Sequence, residues 1–128
     1  MAYKILIVDD STVTRMVLKK IIGMIDIPVQ EILEASNGNE GLDVLSEHSV
    51  DLVLADINMP EMNGMEMAAA VLANPATADI PVVIISTHTE DARINELRSQ
   101  GIKAYIHKPF TAETIRDVLS EILELNPA

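Results

Sequence analysis

The chain has 128 residues, with 20 acidic side chains against 9 basic ones, a formal charge of −11, and neither cysteine nor tryptophan. Its length and 48% hydrophobic content suit one domain around a single core, while the missing cysteine excludes a disulfide-stapled module and a thiolate metal site. No apolar run approaches the roughly 18 residues of a membrane span, and thirteen acidic residues but no Lys or Arg lie between Lys20 and Arg93, the opposite of a nucleic-acid-binding face.

Met1-Ala2-Tyr3-Lys4 runs straight into an apolar stretch without the layout of a signal peptide, so a soluble, cytoplasmic, monomeric domain spanning 1–128 is expected. Ile5-Leu6-Ile7-Val8 predicts a strand near 4–8, followed by Asp9-Asp10. Val13, Met16, Val17, Ile21 and Met24 then recur on one face of a helix over 12–24. A weaker strand near 31–35 leads to Asn37, whose Glu40 three residues on marks a helix start over 38–46. Leu52-Val53-Leu54-Ala55 predicts a strand near 51–55 with Asp56 at its end, and Asn63 with Glu66 opens a helix over 64–73.

Val82-Val83-Ile84-Ile85 predicts a strand near 81–86 that runs into Ser86-Thr87. The helix expected over 90–99 has few core-facing residues, chiefly Ile94 and Leu97 among charged neighbours, which suits an element that shifts easily. A short strand near 104–107 is followed by Lys108. Thr111, after Pro109-Phe110, then opens a helix over 112–124 with Ile115, Val118, Leu119 and Ile122 on one face. Unbroken β-branched runs suit strands covered on both faces, and fivefold alternation of strand and helix predicts an α/β domain with a parallel sheet and right-handed crossovers.

The functional signal lies just beyond each apolar run. Asp9-Asp10, Asp56, Ser86-Thr87 and His107-Lys108 all stand at carboxyl ends of strands, the edge where open parallel sheets place their ligands. Strands lie about 4.8 Å apart, so these side chains can share one small site. A single Asp in such a place reads as a cap or turn residue; four strands ending in chemistry do not. Two carboxylates about 4 Å apart repel by roughly 4 kcal/mol at an effective dielectric of 20. A hard divalent cation relieves this, and oxygen ligands favour Mg²⁺ over Zn²⁺. With Lys108 beside it, such a centre is suited to receive a phosphoryl group on a carboxylate oxygen.

The joint pattern Asp9-Asp10, Asp56-Ile57-Asn58-Met59-Pro60 with Gly64, Ser86-Thr87 and Lys108-Pro109-Phe110 resembles the receiver domain of two-component response regulators, and within it the stand-alone CheY-like chemotaxis regulators. The resemblance spans the whole chain and implies a doubly wound, flavodoxin-like sheet of order 2-1-3-4-5 with five helices and no attached output domain. It implies Asp56 as phosphoacceptor from a histidine kinase's phosphohistidine. Asp10, Asp56 and the Asn58 carbonyl would be Mg²⁺ ligands, with Asp9 acting through water. Ser86 and Lys108 would bind the phosphoryl oxygens, and Thr87, where a small residue is common, would narrow access. Tyr105 would turn inward as Ser86 withdraws, and the 90–124 face would meet a phosphorylation-dependent target such as a flagellar motor switch. Pro109 is expected to follow a cis peptide bond.

Other readings of the same residues are weaker. A Mg²⁺-dependent aspartyl-phosphate phosphatase resembles Asp-x-Asp on one strand, whereas the pair here is adjacent and the presumed nucleophile sits on another. A flavin carrier built on Ser11-Thr12-Val13-Thr14 would place its phosphate against two carboxylates. A receiver kept only as a passive interaction module would normally have lost part of the site. A single-domain phosphorelay shuttle would look the same as a chemotaxis regulator. His88 lies close enough to Ser86 to tune hydrolysis. His48 and His107 have no metal-pair spacing, and Met59, Met62, Met65 and Met67 read first as core filling.

Overall fold

The computed structural model describes residues 2–25, 27–57, 62–86, 95, 99 and 101–125. Its elements alternate: β1 (Tyr3–Val8), α1 (Thr12–Met24), β2 (Val29–Ala35), α2 (Gly38–Glu47), β3 (Leu52–Asp56), α3 (Gly64–Ala73), β4 (Val82–Ser86), β5 (Ala104–His107) and α4 (Ala112–Leu125). All strand pairings are parallel, in the order β2-β1-β3-β4-β5. Four helices lie among the described residues. Of the helix expected over 90–99 only Asn95 and Ser99 are described, both helical.

The two faces of the sheet follow from the two-residue period of a strand. Leu6, Val8, Val53, Ala55, Val82 and Ile84 join Met67, Ala68 and Val71 of α3 and Leu45 of α2 in one core layer. Ile5, Ile7, Leu52, Leu54, Val83 and Ile85 join Leu18 and Ile22 of α1 and Ile115, Leu119, Ile122 and Leu123 of α4 in the other. Strands buried on both sides need apolar residues at every position, hence the unbroken runs. β2, at the edge, is largely half-buried or exposed, and its sequence signal is correspondingly weaker.

In the first helix the expected stripe is split between core and solvent, with only its Ile21 packed on the sheet. Val13, Met16, Val17 and Met24 share a stripe, but that stripe looks outward: Val13 is 69% exposed and Met16 62%. The core is instead met by Leu18 and Ile22, with Ile21 and Ile25 packed alongside. The helix carries two apolar stripes, and spacing alone does not say which one the sheet takes.

Helix starts fall where the caps dictate. Asn63 accepts from the Glu66 N–H at 2.8 Å while Glu66 reaches back to the Asn63 N–H at 3.2 Å. Asn37 accepts from the Glu40 N–H at 2.9 Å, and Thr111 from the Thr114 N–H at 3.1 Å. The Glu40 carboxylate turns to Ser36, binding its N–H and hydroxyl. Ser11 caps α1 through the Thr14 N–H at 3.1 Å.

Candidate functional site

β1 and β3 are neighbours although α1, β2 and α2 intervene in the chain, so the crossovers leave in opposite directions and the carboxyl ends of the two strands open a crevice. Asp9 is the first residue after β1, fixed by its N–H to the Ala35 carbonyl at 3.0 Å. Its carboxylate accepts from the Ser11 N–H at 2.8 Å and is almost fully buried. Asp10 follows and is exposed. Asp56 ends β3 and is 8% exposed. One carboxylate oxygen from each of Asp9, Asp10 and Asp56 lies within 4.8 Å of the others.

Lys108 reaches the same place from the loop after β5. Its Nζ is 3.4 Å from Asp56 Oδ1 and 3.8 Å from Asp9 Oδ2. The backbone that delivers it is held by a 2.7 Å hydrogen bond from the Lys108 N–H to the Ser86 carbonyl, and the Lys108–Pro109 peptide is cis. Ser86 ends β4, next to β3, and is fully buried. Gly64, at the start of α3, lies against the Asp56 carbonyl so closely that a Cβ would collide with it, and its N–H binds the Ile57 carbonyl at 3.0 Å. A side chain there would displace the backbone that carries Asp56.

The electrostatics match this crowding. Burial pushes the Asp9 carboxyl above the usual range, and repulsion from Asp56 and Asp10 adds to it against the Ser11 N–H and Lys108. Burial likewise raises Asp56, with Lys108 and the Ile57 N–H pulling the other way. Three carboxylates face one ammonium, a formal excess of two negative charges, and the donors are all oxygens. Such a set fits a hard divalent cation.

Of the residues singled out in the sequence, Asp9, Asp10, Asp56 and Lys108 meet and Ser86 borders them. Asn58, Thr87 and His88 lie outside the described residues, as does Met59. Tyr105 stands in β5 with its hydroxyl already buried and lacking a hydrogen-bond partner among the described residues. His48 and His107 are exposed. Met67 is fully buried in the core, and Met62 and Met65 pack against it. Sequence spacing gave no sign of Arg15: its guanidinium donates to the Asp9 carbonyl and to Glu34 of β2, a partner 19 residues away.

Fold and site together define a flavodoxin-like doubly wound domain with an acidic, lysine-flanked centre at its switch point. The chain belongs to the response regulator receiver domain family, whose profile matches residues 5–120. It is 33% identical over 121 residues to a chemotaxis protein CheY homolog of Campylobacter jejuni, covering 94% of this chain and 92% of that one. It is 31% identical over 121 residues to chemotaxis protein CheY of Pseudomonas aeruginosa, covering 94% and 96%. The solved structure of Vibrio cholerae CheY4 is similar at a TM-score of 0.85 and 28% identity, covering 96% of this chain and all of that one.

Proposed function

We propose that this chain is a phosphorylatable response regulator acting in chemotaxis signalling: Asp56 takes a phosphoryl group from a histidine kinase and the domain changes partners in consequence. The observation that carries this is the contact of Lys108 with Asp56 at 3.4 Å inside a cluster of three carboxylates. An Asp56 oxygen attacks phosphorus in line, the new P–O bond forms as the P–N bond of the phosphohistidine breaks, and the imidazole nitrogen leaves and takes a proton from water. Lys108, the cation that reaches Asp56 among the described residues, pairs with a phosphoryl oxygen, and Ser86 donates its hydroxyl to another. Asp10, Asp56 and the Asn58 carbonyl would hold Mg²⁺, with Asp9 acting through water, and the ion would supply neutralising charge at the phosphoryl oxygens. Water later cleaves the acyl phosphate, with Thr87 narrowing its approach, so the domain turns over its own phosphate and no external metabolite.

Magnitudes indicate how the signal leaves the site. Phosphorylation adds about two negative charges, and the Ser86 bond to a charged oxygen contributes about 1.5–3 kcal/mol. The Tyr105 hydroxyl is buried without a partner among the described residues, and a rearrangement that gives such a group a hydrogen bond recovers about 1–3 kcal/mol. Together these approach the roughly 5.5 kcal/mol that turns a 1:99 equilibrium into 99:1. The movement is read on the 90–124 face by a protein target of the motor-switch kind. The phosphodonor approaches elsewhere, over the outward stripe of α1. There a groove of about 500 Å³, lined by Val13, Thr14, Val17, Lys108, Pro109 and Phe110, adjoins the acidic centre. The domain works as a cytoplasmic monomer, and no helix among the described residues is long and apolar enough to cross a membrane.

The test is transfer of radiolabel from a kinase phosphohistidine. The wild type should acquire a hydroxylamine-labile label, and Asp56→Asn should acquire none while keeping its circular dichroism. Label persisting in that variant would refute Asp56 as acceptor.

A further inference from the structure

Asp10 is the exposed member of the carboxylate cluster. Where its carboxylate can reach therefore depends first on the backbone that carries it. The peptide joining Asp9 to Asp10 is held through the Asp9 carbonyl, which accepts from Arg15 Nη1. Arg15 is itself anchored at two further points, by Nε to Glu34 Oε1 at 3.2 Å and by Nη2 to Thr12 Oγ1 at 3.4 Å. Its side chain is only 15% exposed. Glu34 is held in turn by Lys19 at 3.1 Å. Burial raises the Glu34 carboxyl, and the Lys19 and Arg15 hydrogen bonds outweigh that and hold it below its ordinary range, so the anchor stays ionised.

We infer that Arg15 is a positioning residue for the metal centre: its planar fork ties the Asp9–Asp10 peptide to α1 and β2 and so places the Asp10 carboxylate within reach of the ion. The inference rests on the function proposed above. A guanidinium donates in several fixed directions at once, while an ammonium on a flexible stem reaches the carbonyl or Glu34 but does not hold both in one geometry. Losses of outer supports of this kind typically weaken metal binding by about 10–100-fold.

The sign of the effect separates this role from plain electrostatics. Arg15 is a cation near a cation site, so removing its charge alone tightens Mg²⁺ binding; removing a support loosens it. Calorimetric Mg²⁺ titration of the whole chain, with urea unfolding in chelator to verify folding, reads the difference. Arg15→Gln and Arg15→Lys should both bind Mg²⁺ about tenfold more weakly, whereas Lys19→Gln, which leaves the Asp9 carbonyl bond intact, should bind as the wild type does. Should Arg15→Gln not fold, Glu34→Gln loosens one anchor and should weaken binding about twofold. Unchanged or tighter binding in Arg15→Gln, or wild-type affinity in Arg15→Lys, overturns the role. Wild-type protein that takes up no Mg²⁺ instead defeats the proposed function, and the role of Arg15 with it.

Discussion

Helices α1 and α4 lie side by side on one face of the sheet, leave the two loops that meet at the acidic centre, and use their apolar residues in opposite ways. α4 turns Ile115, Leu119, Ile122 and Leu123 into the core. α1 commits only Leu18 and Ile22 fully and leaves Val13, Met16, Val17 and Met24 in solvent; among the described residues these are the large exposed hydrophobics. Large apolar side chains gathered on one exposed helix beside the acidic centre suit the docking of the phosphodonor proposed above. α4 thus spends one face on the core, whereas α1 leaves a stripe free for that donor.

The largest effect expected from that contrast is on folding. Leu119 is fully buried, so Leu119→Ala should lower stability by about 2–5 kcal/mol through lost burial and the cavity left behind. Urea unfolding checks it. A loss below about 1 kcal/mol would mean that α4 is held by something other than its core face.

Between the two helices, at the centre itself, a smaller effect runs the other way. Asp9 and Asp56 have raised pKa values in the folded protein. A carboxylate of this kind contributes stability that is present below its unfolded pKa and lost as pH rises through the raised folded value. Metal-free protein should therefore lose stability as pH climbs from about 4 toward neutrality. Asp56→Asn removes two repulsions and one attraction to Lys108, each about 4 kcal/mol at 4 Å before solvent relaxation, and should stabilise the metal-free form at neutral pH by about 2 kcal/mol. It should also flatten the pH dependence and blunt the rise in melting temperature that millimolar Mg²⁺ gives the wild type. A variant less stable than the wild type in chelator would place the carboxylate among net stabilising contacts.

The contrast also marks what could be read in the sequence. The four chemistry-bearing strand ends were legible because each comes directly after a local apolar run, as with Ile5 to Val8 before Asp9 and Leu52 to Ala55 before Asp56. The sheet order that brings them together is not local, and it came from the joint motif. The buried face of α1 is not legible from spacing, because Val13, Met16 and Val17 satisfy helical periodicity as well as Leu18 and Ile22 do, and only packing against the sheet chooses between them. Arg15 was invisible for a similar reason: its partners, the carbonyl of Asp9 and Glu34 of an edge strand, follow no pattern that spacing reports.

If α1 is the donor's landing surface, truncating its outward stripe should separate two reactions. Met16→Ala with Val17→Ala should slow transfer from the protein donor by about tenfold, since the few residues that dominate an interface cluster near its centre and cost more than about 1 kcal/mol each when truncated. Labelling from a small phosphodonor such as acetyl phosphate should stay unchanged. Equal slowing of both would mean that the stripe supports the centre rather than a partner.

The smallest expected effect is the sharpest check on where that surface ends. Met24 is as exposed as Val13, at 69%, but does not line the groove. Eleven helical residues place it about 16 Å further along the axis. A standard interface buries about 800 Å² on each partner, a patch roughly 30 Å across. Centred on the groove, its rim falls near Met24, and rim residues contribute little to binding. Met24→Gln should thus change stability by less than about 0.5 kcal/mol and protein-donor transfer by less than about twofold. Slowing as large as that from the Met16 and Val17 pair would extend the docking surface along the whole of α1 and shift its centre away from the acidic edge.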